Sequence, residues 1–88
     1  MVEGIRSVVL YTTVPCGYCH RAKALLEIRG VAFREVQLPR TAAGRALLAE
    51  VAPDARTFPV IVIDGVPIGG YADLVEWDRA GRLVVETA

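Results

Sequence analysis

Ser7-Val8-Val9-Leu10-Tyr11-Thr12-Thr13-Val14-Pro15-Cys16-Gly17-Tyr18-Cys19-His20-Arg21-Ala22-Lys23-Ala24-Leu25-Leu26-Glu27-Ile28-Arg29-Gly30 is the stretch that decides the fold. Ser7 to Tyr11 is a short apolar run with two β-branched valines and reads as a strand buried on both faces. Thr12 to Pro15 breaks it. From Cys16 to Arg29 the residues favour helix, above all Ala22, Lys23, Ala24, Leu25, Leu26 and Glu27. Tyr18, Ala22, Leu25, Leu26 and Arg29 fall on one mostly apolar stripe. Gly30 is a natural residue to end that helix in a left-handed turn. A strand thus hands over directly to a helix, and two cysteines sit at the junction.

Reading outward, Val31 to Leu38 alternates loosely and predicts a second strand, stopped by Pro39. Thr41 can cap a helix running to about Val51, ended by Pro53. Phe58 to Ile63 predicts a third strand. Asp64-Gly65 is a strong hairpin signal leading into a short fourth strand, Val66 to Ile68. Gly69-Gly70 breaks the chain, Tyr71 to about Ala80 predicts a third helix, and Gly81 ends it. Leu83-Val84-Val85 forms a short tail expected to pack back on the sheet. The order is β-α-β-α-β-β-α. Its opening βαβ unit implies a right-handed crossover, and the hairpin adds antiparallel strands. The expected class is α/β, a four-stranded mixed sheet flanked by helices. At 88 residues the chain is read as one domain, residues 1–88. Its thin core is offset by a 53% apolar composition.

Ten basic residues balance ten acidic ones, for a formal net charge of zero. This gives no electrostatic footprint for nucleic acid or a membrane surface. No apolar run approaches the roughly 18 residues that span a bilayer. Met1 to Arg6 lacks the charged-then-apolar pattern of a secretion signal, so the expected location is cytoplasmic. The two cysteines are three positions apart, and a bridge closing so short a loop stabilises weakly. A secreted disulfide scaffold uses more cysteines, spaced further apart. The pair therefore calls for a chemical explanation.

That explanation lies at the start of the first helix. Its unpaired N–H groups and positive dipole end favour a thiolate at Cys16. A lower thiol pKa raises the thiolate fraction and improves the leaving group. Cys19, one turn on, is placed to attack a mixed disulfide formed at Cys16. A C-x-x-C pair can also be half of a zinc site, but structural zinc wants four ligands. The chain offers two cysteines and His20, so completing such a site needs a second chain or carboxylates. Thr57-Phe58-Pro59 is a second feature. A cis Pro59 would free the Phe58 backbone to pair with an extended peptide, whereas an ordinary trans proline at a strand start would not. The third is Gly69-Gly70-Tyr71-Ala72-Asp73. It reads either as a simple N-cap or as a carboxylate site, with Ala72 and Asp73 N–H groups binding an anion and Asp73 receiving an ammonium.

Three such motifs in this order resemble the glutaredoxin family, from about Ser7 to Leu83. Tyr11 to Leu26 is similar to its active-site strand and helix, Thr57-x-Pro59 to its cis-proline motif, and Gly69-Gly70 with Asp73-Leu74 to its γ-glutamyl site. The resemblance implies a thioredoxin-like fold and a dithiol enzyme that reduces protein disulfides and glutathione mixed disulfides, with glutathione as co-substrate. It implies that Cys16 attacks and Cys19 resolves. Tyr18, Thr57, Phe58, Pro59, Gly70, Tyr71, Ala72 and Asp73 would bind glutathione. Arg45 or Arg40 could meet the glycyl carboxylate, although a solvated helix face is the favoured reading for both. The chain also departs from the family. Thr13 stands where many members carry lysine, Phe58 replaces valine, and Tyr71 and Ala72 replace a more frequent cysteine and a serine or aspartate. Gly17 replaces a proline, as in some members that share a [2Fe–2S] cluster across a dimer through the nucleophilic cysteine. Alternatives implied are thus cluster binding at Cys16, or an electron donor fed by thioredoxin reductase or mycothiol, with ribonucleotide reductase among the candidate partners. The expected oligomeric state is a monomer.

Overall fold

The computed structural model describes residues 4–86. Met1 to Glu3, where the leader reading begins, lie outside the described residues. The chain forms β1 (Val8–Thr12), α1 (Gly17–Ile28), β2 (Arg34–Gln37), α2 (Ala42–Val51), β3 (Val60–Ile63), β4 (Val66–Gly69) and α3 (Tyr71–Arg79). The sheet order is β2-β1-β3-β4. β1 runs parallel to β2 and antiparallel to β3, and β3 runs antiparallel to β4. This is the expected four-stranded mixed sheet, in a thioredoxin-like fold.

The two central strands divide the core. On one face, Val8, Leu10, Ile61 and Ile63 pack with Ala22 and Leu26 of α1 and Leu74 of α3. On the other, Val60 and Val62 pack with Leu48 of α2 and Ala52, joined by the half-buried Val9 and Tyr11. All four residues of β3 are buried, which a half-exposed strand could not be. Leu10, Leu26, Ile61 and Leu74 are fully buried, each contributing about 1.5–3 kcal/mol relative to an exposed side chain.

Several expected boundaries move, each for a local reason. Cys16 is the N-cap of α1 and not its first helical residue. The buried stripe of α1 runs through Cys19, Ala22 and Leu26; Tyr18 and Arg29 are exposed. The second strand starts at Arg34, because Gly30 and Val31 belong to the helix exit. Gly30 has φ 69°, its N–H reaches the Glu27 carbonyl, and the Val31 N–H reaches that of Leu26. This is the paired hydrogen bonding of a Schellman motif. The third strand starts at Val60, since Pro59 has no N–H to give a ladder. The Asp64-Gly65 turn is as expected, with φ positive at both residues. The tail packs back through Leu83, which lies in the core with Val8, Leu10, Ile61 and Ile63 of the sheet. Val85 forms a parallel bridge with Ile5, and Leu83 alone of Leu83 to Val85 is buried in the core.

Two contacts fix the elements around the cysteine junction. The first centres on Glu35 of β2. Thr12, the last residue of β1, donates its hydroxyl to Glu35 Oε2 at 2.7 Å, and Lys23 Nζ of α1 lies 3.2 Å from the same oxygen. The Thr12 hydroxyl, with Lys23 adding to it, holds the Glu35 carboxyl below its ordinary value, against an opposing contribution from partial burial. The second is the approach of Pro39 to α2. A Cβ on Gly44 would fall 1.9 Å from the Pro39 carbonyl oxygen, so only glycine lets the chain cross there.

Because the folded Glu35 pKa is depressed, its contribution is complete above the unfolded value and is lost as pH falls through the folded one. Glu35→Gln should therefore lower stability by about 0.5–1 kcal/mol at pH 7. The gap to wild type should close as thermal melts are taken into the acid range. Gly44→Ala sets two effects against each other. Helix propensity favours alanine by about 1 kcal/mol, but the clash is with backbone and overpacking costs about 1–3 kcal/mol. Urea denaturation should show net destabilisation.

Candidate functional site

Cys16 lies where β1, by way of Thr13 to Pro15, delivers the chain to α1. Its backbone is extended, at φ −157° and ψ 103°, and its sulfur accepts the Cys19 N–H at 3.1 Å. The sulfur thus does the capping that a serine or aspartate oxygen does elsewhere. No acidic residue stands in the first turn of α1, so the positive helix end is left to act on that sulfur. The two cysteines are joined in a disulfide with Cα atoms 5.3 Å apart. Cys16 is half-buried, whereas Cys19 is 2% exposed. One sulfur can therefore be approached from outside, and the other is reached through it.

Tyr18, between the two cysteines in the chain, opens onto a groove of about 460 Å³. Its walls bring together segments far apart in sequence. Tyr18 comes from α1, and Thr57, Phe58 and Pro59 from the turn before β3. Gly70, Tyr71, Ala72 and Asp73 come from the start of α3. Every residue expected to bind a thiol ligand lines this one cavity. The Phe58–Pro59 peptide bond is cis, and Phe58 lies outside the β3 ladder, which begins at Val60. Gly70 caps α3, and its N–H is bound by Asp73 Oδ2 at 2.9 Å. Gly69, at φ 120°, packs so closely on Asp73 that a Cβ there would meet the carboxylate at 2.2 Å. Gly69 is thus required by its positive φ and by the carboxylate beside it, whereas a Cβ on Gly70 would meet only the Pro59 carbonyl oxygen at an ordinary 3.5 Å. Asp73 is both a cap and an exposed acid in the groove.

Three residues of the groove were not foreseen: Asp54, Ala55 and Arg56. They lie on the loop before Thr57, and adjacency to that motif was the one signal available. The cations that were considered behave differently. Arg40 donates through Nη2 to the Pro15 carbonyl, immediately before Cys16, and does not line the groove. Arg45 lies on the exposed face of α2. Thr13 is 3% exposed and its hydroxyl has no hydrogen-bond partner among the described residues. A neutral, buried side chain therefore stands at position 13. Among the described residues, no three His, Cys, Asp or Glu side chains gather as metal ligands. A cluster on Cys16 would need its other ligands from outside the described residues.

The comparisons with known proteins agree with this geometry. The family model described as glutaredoxin matches residues 8–68. Glutaredoxin 1 of Rickettsia bellii is 40% identical over 84 residues, covering 90% of this chain and 84% of the relative. Glutaredoxin 3 of Escherichia coli K12 is 43% identical over 77 residues, covering 88% and 92%. A solved buckwheat glutaredoxin–glutathione complex superposes with a TM-score of 0.74 at 32% identity, covering 86% of this chain and 71% of that one. With its cysteine pair on the first helix of this fold, the chain belongs to the glutaredoxin family and is, like its other members, a disulfide oxidoreductase.

Proposed function

We propose that the protein is a glutathione-dependent dithiol oxidoreductase acting on glutathione mixed disulfides and protein disulfides in the cytoplasm, as a single domain. Cys16 is the nucleophile and Cys19 the resolving thiol. The observation that carries this reading is the single groove joining Tyr18, which stands between the two cysteines in the chain, with Thr57 to Pro59 and Gly70 to Asp73. Glutathione is an extended peptide with an α-amino acid at one end and a carboxylate at the other. The α3 N-terminus suits the first end, with backbone N–H groups for the carboxylate and Asp73 for the ammonium. The Phe58 backbone suits the cysteinyl unit. Arg56, exposed in the same groove, suits the second carboxylate better than Arg40 or Arg45. The buckwheat relative, whose structure is a complex with glutathione, supports the same occupant.

In the reduced protein the Cys16 thiolate attacks the glutathione sulfur of a mixed disulfide. A Cys16–glutathione disulfide forms and the substrate leaves as a thiolate. A second glutathione then attacks that disulfide, releasing oxidised glutathione and restoring Cys16. With a protein disulfide, the mixed disulfide is instead resolved by Cys19, and the substrate is released as a dithiol. Helix-end stabilisation of negative charge at Cys16 serves both attack and departure.

The test is NADPH-coupled reduction of a glutathionylated peptide with glutathione and glutathione reductase. Turnover should be rapid and should fall to the uncatalysed rate in Cys16→Ser. Cys19→Ser should keep turnover of the glutathionylated peptide but accumulate a mixed disulfide with a protein substrate, visible by mass spectrometry. No turnover by wild type above the uncatalysed rate would remove glutathione from the reading.

A further inference from the structure

The groove has a property that glutathione leaves unused. Half of the chain's aromatic side chains, Tyr18, Phe58 and Tyr71, line this one cavity. Glutathione carries no apolar side chain beyond its cysteine β-carbon, so it has nothing to set against three rings. The rings are also held in place. Tyr71 is supported from behind by the core on the α1 and α3 side of the sheet. Phe58 is supported by the core on the α2 side. Tyr18, 58% exposed, stands 5.8 Å from Tyr71 between ring centroids. The Arg21 guanidinium lies 5.3 Å from the centre of the Tyr18 ring. Rigid, half-supported aromatic rings give large apolar contact at little entropic cost, and such rings dominate recognition of polypeptides.

We propose that the groove reads the polypeptide around a substrate cysteine and selects apolar residues flanking it, with Tyr71 as the specificity-determining residue. The occupant is an extended segment of a disulfide-bearing protein. Tyr18, between the two cysteines in the chain, belongs to this surface, and the Phe58 backbone is outside the sheet. This deepens the oxidoreductase reading by naming the class of protein substrate, and it rests on the dithiol chemistry and not on glutathione.

The experiment omits glutathione. Reduced protein, freed of reductant, meets hexapeptides whose single cysteine is disulfide-linked to 2-mercaptoethanol and flanked on both sides by Leu or by Ser. The Cys16 thiolate bonds to the peptide sulfur and 2-mercaptoethanol leaves as its thiolate. Cys19 then attacks Cys16, releasing the peptide thiol. The protein dithiol ends as the Cys16–Cys19 disulfide, and the substrate disulfide ends as two thiols. Peptide-thiol release is followed by chromatography, and each rate is divided by that of the same peptide with dithiothreitol. The Leu peptide should react about tenfold faster than the Ser peptide, the scale set by a small apolar contact. Tyr71→Ala should bring the ratio within about twofold, and Tyr71→Phe should keep it. Phe58→Val, altering the wall supported from the α2 side, should also lower it. Equal rates for the two peptides with wild type overturn the proposal, as does a ratio unchanged in Tyr71→Ala. If the glutathione assay fails while this selectivity holds, the donor was misassigned and the substrate class stands.

Discussion

The Cys16 sulfur accepting the Cys19 N–H is the contact on which the rest of the site depends. A helix start leaves N–H groups without partners, and here a sulfur supplies one of them. That single bond places the nucleophile at the positive end of α1 and sets Cys19 one turn on. It requires the chain to arrive extended at Cys16 and turn helical at Gly17. β1 provides that arrival, because it is locked on both sides by β2 and β3. The Thr12–Glu35–Lys23 contacts tie the end of β1 to the edge strand and to α1. The helix-first view of this site is therefore incomplete: its stiffness comes from the sheet.

The second constraint is the partition of the core. β3 is buried on both faces, and the two hydrophobic clusters lie on opposite sides of it. The groove sits at the sheet end where both clusters reach the surface. Phe58 is the half-buried fringe of one and Tyr71 of the other. A site built this way has rigid walls without a buried charge, since its charged side chains, Asp54, Arg56 and Asp73, are all exposed. Arg29, bridging to Asp78 at 2.6 Å, closes α1 against α3 at the far end. It holds the Asp78 carboxyl below its ordinary value. The ends of α1 and α3 away from the site are thereby fixed, and both helices leave through the same glycine-ended turn, at Gly30 and Gly81.

Much of this was readable from local chemistry. Val8 to Tyr11, the Asp64-Gly65 turn, the Thr41 cap and the glycines that end α1 and α3 each act through neighbours in sequence. The C-x-x-C spacing and the bond from the Gly70 N–H to the Asp73 carboxylate are equally local, which is why the cysteine pair and the α3 terminus were legible. Errors arose where a residue's state depends on distant packing. The apolar stripe of α1 misplaced Tyr18, because a 3.6-residue period cannot tell a core position from a groove wall. Val31 looked like strand because its burial comes from the helix exit.

The sequence by itself determined the element order, the junction that carries Cys16 and Cys19, and three motifs of opposite character along the chain. These are set by backbone hydrogen bonding and by side chains within a few residues. Only the tertiary structure decided that the three motifs meet in one groove, that Arg56 enters it while Arg40 turns to the Pro15 carbonyl, and that Tyr18 stands against Tyr71. Those outcomes depend on strand pairing across long stretches of chain and on which core supports each ring, and no local pattern encodes either.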